Sequence, residues 1–248
     1  MSESLKISDL DVFSSKDARN NIRSFKKVTF NTASTSDYAT NEAYKTLRTN
    51  IMFCGAEIKS IVITSCNENE GKSTVSTELS KSFAEIGKHT LLIDADMRKS
   101  VMLKKNMHSS EIVGLSEVLS GQIDINDAIY NTQSPDFDVV FAGRFPPNPV
   151  ELIGGGRFEK LVNDLKLKYD YIIIDTPPLG AVIDAAVISS VCDGSVIVIA
   201  DRRVDKNAAI QVKEQLEKSG CKILGAVINE TDRKYSKYYK KYYKYSDE

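Results

Sequence analysis

The stretch Ser60-Ile61-Val62-Ile63-Thr64-Ser65-Cys66-Asn67-Glu68-Asn69-Glu70-Gly71-Lys72-Ser73-Thr74 decides how the rest of the chain is read. Ile61 to Thr64 is an apolar run of strand length, and Ser65 to Glu70 is a polar turn. Gly71-Lys72-Ser73-Thr74 then leads into a helix expected over about Val75–Ile86, with Gly87 placed to end it. Thr90-Leu91-Leu92-Ile93 re-enters a strand and delivers Asp94 and Asp96 just before Arg98. A Gly-Lys-Ser between a buried strand and a helix is the sequence form of a phosphate-binding loop. Successive backbone N–H groups and the positive end of the helix dipole point there at anionic oxygens.

On that reading Asn69, Glu70, Gly71, Lys72, Ser73 and Thr74 surround the phosphates of a nucleotide, ATP with Mg²⁺. Lys72 reaches the β- and γ-phosphates, Ser73 ligates the ion, and Thr74 sits near the α-phosphate. The usual pattern has a glycine five positions before Gly71, where this chain has Cys66. The flanking strand and helix, and the carboxylates that end the next strand, therefore carry the assignment.

Moving outward, Tyr171-Ile172-Ile173-Ile174 is apolar on both faces, as a central strand of a parallel sheet must be, and it ends in Asp175-Thr176-Pro177-Pro178. Open α/β sheets bind ligands at this carboxyl edge. Two further units follow, a helix over about 182–191 with a strand at 195–200, and a helix at 206–219 with a strand at 223–228. Between the two halves come a short glycine-bracketed helix at Gly114–Gly121, a second short helix over Asp127–Tyr130, and a strand at Phe137–Phe141. The stiff turn Pro146-Pro147-Asn148-Pro149 precedes a helix over 157–167. The alternation predicts an α/β fold: a doubly wound, mostly parallel sheet with helices on both faces.

Composition sets the outer limits. The 248 residues are 42% hydrophobic and 27% charged, which is globular, and the net charge of −1 argues against a nucleic-acid binder. No run approaches 18 apolar residues and no signal-like segment follows the N-terminus, so a cytoplasmic location is expected. Cys54, Cys66, Cys192 and Cys221 have no C-x-x-C spacing and read as free thiols. Residues 1–36 read as a mobile arm, 37–230 as the folded domain, and 231–248 as a flexible tail. Ser100–His108 has no clear period and reads as a surface loop.

Two stretches carry further chemistry. From Thr40 the apolar residues Tyr44, Leu47 and Ile51 fall at helical spacing, with Glu42, Lys45 and Arg48 on another face. The tail holds Tyr235, Tyr238, Tyr239, Tyr242, Tyr243 and Tyr245 among six basic and three acidic side chains, a net charge of +3. Each phosphate added to a tyrosine contributes roughly −1.5 to −2, so full modification moves the tail to about −6 to −9. Carboxylates as close as Asp94, Asp96 and Asp175 need a cation. Ser73, Asp96 and Asp175 are the metal candidates, and either Asp94 or Asp96 is the candidate base, beside Lys72 and Arg98. Arg202 and Asn229, at strand ends, are candidates for the adenine side by position alone.

Taken together, Gly71-Lys72-Ser73-Thr74, Leu91-Leu92-Ile93-Asp94-Ala95-Asp96-Met97-Arg98 and Ile172-Ile173-Ile174-Asp175-Thr176-Pro177-Pro178 resemble the Walker A, A′ and B motifs of bacterial tyrosine kinases. Those are the autokinases of capsule and exopolysaccharide export. Pro146-Pro147-Asn148-Pro149-Val150-Glu151-Leu152 is similar to the proline-rich loop of that family, and the terminal tyrosines to its autophosphorylation cluster. The resemblance implies a ring homo-oligomer in which one subunit's tail enters a neighbour's active site. Glu42-Ala43-Tyr44-Lys45-Thr46-Leu47-Arg48 matches the family's E-x-x-R-x-x-R interface motif except for Lys45, which cannot make the forked pair of an arginine.

The resemblance also implies a separate transmembrane activator of the polysaccharide-chain-length type, which would hold the protein at the inner face of the plasma membrane. It implies a cognate phosphotyrosine phosphatase and other protein substrates as well. The alternative is a positioning ATPase of the MinD/ParA type, which shares the fold and the acidic positions. That group has a signature lysine where this chain has Asn67, and it gives no reason for clustered tyrosines.

Overall fold

The apolar runs build one sheet, and their order places the phosphate-binding loop at its centre. The computed structural model describes residues 26–28, 38–102 and 112–231. Its strands are β1 (Lys26–Lys27), β2 (Ser60–Ser65), β3 (Thr90–Asp94), β4 (Ile129–Asn131), β5 (Phe137–Val140), β6 (Tyr171–Asp175), β7 (Gly194–Ala200) and β8 (Ile223–Asn229). They pair in the order β1-β4-β5-β3-β6-β2-β7-β8. All pairings are parallel except β4 with β5. β2, β3 and β6 are buried along almost their whole length, as strands covered by helices on both faces must be.

Alternate residues of these strands feed two cores. Ile61, Ile63, Leu92, Ile173, Val196 and Val198 pack with α1 (Tyr38–Met52) and α2 (Lys72–Ala84) on one face. Val62, Leu91, Ile93, Ile172 and Ile174 pack on the other face with α3 (Leu115–Leu119), α5 (Pro149–Gly154), α6 (Arg157–Lys166) and α7 (Asp184–Ser189). The short α4 (Ile125–Ala128) is capped by the Asp124 side chain, and α8 (Lys206–Lys218) by that of Asp205.

Within the arm Val28 is buried, and residues 26–28 dock as a strand on β4. Three expectations are corrected. The second short helix ends at Ala128, and Tyr130 belongs to β4, where its ring packs edge-on against Phe141 with centroids 5.4 Å apart. Ser100 is buried, with its hydroxyl on Asp94, so it is not a surface-loop residue. Pro149 stands in the first turn of α5, where a missing N–H costs nothing. The remainder of the 1–36 arm, most of the 100–108 loop, and all six tail tyrosines lie outside the described residues.

Candidate active site

The loop after β2 reaches α2 through Gly71, whose φ of 86° is costly for a side chain. A Cβ there would also collide with the Asn229 amide, which donates to the Glu70 carbonyl at 2.9 Å. The loop keeps its shape without the usual first glycine because Glu70 folds under it. Its buried carboxylate accepts from the backbone N–H groups of Cys66 and Asn67, both at 3.1 Å, and from the Asn67 amide at 2.9 Å. The Glu70 side chain therefore braces the loop, and its backbone is what remains for a ligand. Burial, and then the Glu70 charge, push the Cys66 thiol up to about 11, so it stays a neutral packing residue.

Lys72 is only 8% exposed, yet among the described residues no carboxylate pairs with its ammonium group. A buried cation with no carboxylate in direct contact gains from an anion that binds beside it. The first turn of α2 supplies N–H groups that have no partner within the helix. Thr74 is exposed at the start of that helix.

Ser73 Oγ donates to Asp175 Oδ2 at 2.6 Å, and Ser76 Oγ donates to Asp175 Oδ1 at 3.0 Å. Asp94 and Asp175 are paired in register on β3 and β6 and are both buried. Burial, and then the Asp175 charge, raise Asp94 well above the usual carboxylate range. Burial lifts Asp175 to about 6 against the opposing pull of Ser73, Lys72 and Ser76. Asp94 accepts from the Ser100 hydroxyl and, at 3.1 Å, from Asp96 N. Asp96 is half-buried, and its carboxylate takes the N–H groups of Arg98 and Lys99 at 3.2 and 2.9 Å. Arg98 forks onto Asp184 through Nε at 2.8 Å and Nη2 at 3.0 Å.

The structure thus brings Lys72, Ser73, Asp94, Asp96, Asp175 and Asn229 to one edge. The Arg202 guanidinium lies 3.7 Å from the neighbouring Asp201 and is largely exposed. Arg203 reaches the loop, donating to the Asn69 carbonyl at 3.0 Å while pairing with Glu230 at the root of the tail. Glu42 and Lys45 pair with each other at 2.7 Å, and Arg48 turns inward to the Ser82 carbonyl and hydroxyl of α2. Sequence reasoning missed Ser76, Ser100, Asp184 and Arg203. Ser76 was legible as a second serine three positions after Ser73 on the same helix face. The other three carry no local signal.

A strand, a glycine–lysine–serine loop and a helix, facing a carboxylate on the neighbouring parallel strand, define a P-loop nucleoside triphosphatase fold. The AAA domain family matches residues 58–218. The tyrosine-protein kinase CpsD of Streptococcus agalactiae is 46% identical over 199 residues, 80% of this chain and 87% of that protein. The kinase domain of the Escherichia coli tyrosine kinase ETK superimposes with a TM-score of 0.71 at 32% identity, covering 78% of each chain. The septum site-determining protein MinD of Pyrococcus horikoshii, solved with Mg-ADP, is less similar, with a TM-score of 0.60 at 26% identity over 71% of this chain and 72% of that one. The chain belongs to the bacterial tyrosine kinase family. Among the described residues, no helix is long and apolar enough to cross a membrane.

Proposed function

We propose that this kinase transfers the γ-phosphoryl group of ATP to the tyrosines of its own C-terminal tail, in trans within a ring of subunits, and so regulates the making and export of a capsular or extracellular polysaccharide. The buried Lys72, in contact with no carboxylate among the described residues and beside the Ser73–Asp175 bond, carries the reading, because a polyphosphate would supply its partner. The tail leaves from the same edge: Asn229 touches the loop, and the described chain ends two residues later.

The residues fit Mg²⁺, which takes one or two protein ligands and completes its shell from phosphate and water: Ser73 and Asp175 would hold it, with Asp96 a further candidate. When bound, Mg²⁺ offsets charge on the phosphates.

Lys72 and the loop N–H groups would orient the γ-phosphate, and Arg98 would offset charge that develops on it. The phenolic oxygen forms the new bond to phosphorus as the bond to the ADP oxygen breaks. Asp94 or Asp96, at the end of β3, takes the phenolic proton. Asn229 and Arg203 shape the adenine side of the loop. Glu42 and Lys45 are offered to the neighbouring subunit, with Arg48 fixing their helix. A membrane protein of the chain-length type is the proposed activator and holds the kinase at the membrane. A phosphotyrosine phosphatase resets it, and other protein substrates are served.

The decisive experiment is incubation with Mg²⁺ and labelled ATP followed by an antiphosphotyrosine blot. Lys72→Met and a truncation after Glu230 should both lose signal. A tail-truncated but otherwise intact kinase should label the Lys72→Met protein, which tests transfer in trans. Phosphate release without labelled protein points instead to a positioning ATPase. The acidic tail produced by modification should dissociate the ring. Equal light-scattering masses before and after modification would exclude that step.

A further inference from the structure

Asp184 is fully buried, nine positions beyond Asp175, and the reaction described above does not use it. A carboxylate removed from water requires a hydrogen-bonded counter-charge. Arg98 supplies it with the paired geometry that only a guanidinium offers, Nε at 2.8 Å and Nη2 at 3.0 Å.

The pair joins two loops that are each fixed to the phosphate loop by other bonds. On one side, Leu179 N donates to the Ser65 carbonyl at 2.9 Å, and Gly180 lies so close to the Cys66 carbonyl that a Cβ would collide with it. On the other, Lys99 pairs with Glu68 of the phosphate loop at 2.6 Å, and Ser100 is bonded to Asp94. Arg98 gives one edge of its guanidinium to Asp184 and is still 39% exposed, next to Asp96.

We propose that Asp184 is the positioning residue for Arg98. It fixes the plane of the guanidinium at the mouth of the phosphate site, so that Arg98 meets charge developing on the transferred phosphoryl group without reorganising. Asp184 is too deeply buried to touch substrate and acts only through Arg98. The inference rests on the kinase reading above.

The test uses the full chain with Mg²⁺ and ATP and measures total ADP release alongside phosphotyrosine. Asp184→Asn should lower kcat about 10- to 100-fold while leaving KM for ATP within about twofold, as expected for a group that acts in the transition state. The double variant Arg98→Ala/Asp184→Asn should be no slower than Arg98→Ala alone. Added guanidinium should restore turnover saturably in Arg98→Ala, where Asp184 still offers its site, and should fail in the double variant.

A second readout needs no nucleotide. In isotope-labelled protein the Arg98 Nε–H should exchange slowly with solvent, and Asp184→Asn should abolish that protection. Wild-type kcat in Asp184→Asn, losses that multiply in the double variant, or equal rescue of both arginine variants would each overturn the proposal. If Asp184→Asn does not fold, saturable rescue of Arg98→Ala supports the clamp and absence of rescue overturns it. ADP release without phosphotyrosine in the wild type sinks the kinase reading alone, since the turnover comparison still stands.

Discussion

Ser73 Oγ lies 2.6 Å from Asp175 Oδ2, so the phosphate loop and the end of β6 meet through a hydroxyl and a carboxylate. On the proposed reading both groups would turn to a cation when a magnesium–nucleotide complex binds, and their hydrogen bond holds them within reach of one ion.

A pH dependence follows from this contact. Burial raises Asp175 to about 6. An acid with a raised folded pKa takes its proton first in the folded chain. The nucleotide-free protein should therefore lose stability from this group as pH rises from about 4 to about 6, and no more above that. Binding of Mg·ADP needs the deprotonated carboxylate, so its affinity should fall as pH drops below about 6. Calorimetric titration should show this for the wild type, while Asp175→Asn should bind at least tenfold more weakly at neutral pH and lose the trend. An identical pH profile in the variant would refute the assignment.

The second pH effect lies away from the site. His89 Nε2 is 3.5 Å from Asp138 Oδ2, and its ring stacks on Tyr169, whose hydroxyl also donates to Asp138 at 2.9 Å. The hydrogen bond to Asp138 is the main reason that His89 holds its proton above the ordinary imidazole range. The stability it contributes is therefore complete below about pH 6.5 and disappears as pH rises through the raised folded value. Melting curves at intervals between about pH 6 and pH 8 should slope downward in the wild type and run flatter in His89→Gln.

The helix that carries Glu42, Lys45 and Arg48 separates two roles. Arg48 is bonded to the Ser82 carbonyl and hydroxyl, so Arg48→Ala should cost about 1–2 kcal/mol of stability, read in denaturant unfolding. Lys45 is exposed and, among the described residues, pairs with Glu42 of its own helix, so Lys45→Ala should leave unfolding unchanged and alter sedimentation of the oligomer instead. Unchanged sedimentation would remove Lys45 from the subunit interface.

Arg203 holds the Asn69 carbonyl and Glu230 together beside the phosphate loop. Losing one exposed charge-assisted hydrogen bond of about 1 kcal/mol should raise KM for ATP roughly fivefold in Arg203→Ala. Arg202→Ala should change it little. A comparable rise in both would show that the effect is one of general charge near the site.

The local signals were strong where covalent neighbours do the work. The apolar runs at Ile61–Thr64, Leu91–Ile93 and Tyr171–Ile174 required a buried sheet, because strands hydrophobic on both faces have nowhere else to go. Gly71-Lys72-Ser73 placed a phosphate site at a helix start, since a helix N-terminus and a short loop are built from consecutive residues. The helix expected over Asp127–Tyr130 overran into β4 because Ile129 and Tyr130 gain their order from pairing with β5 and β1, which no local window contains.

The sequence by itself therefore determined the fold class, the loop and the carboxyl-edge aspartates, all written in runs and spacings within reach of one another along the chain. Only the tertiary structure decided that Glu70 braces the loop, that Arg48 faces inward, that Arg203 reaches Asn69, and that Arg98 is held by Asp184. The last of these pairs is 86 residues apart in sequence. A side-chain hydrogen bond depends on a few ångströms and a rotamer, and those are set only once the sheet has brought its strand ends together.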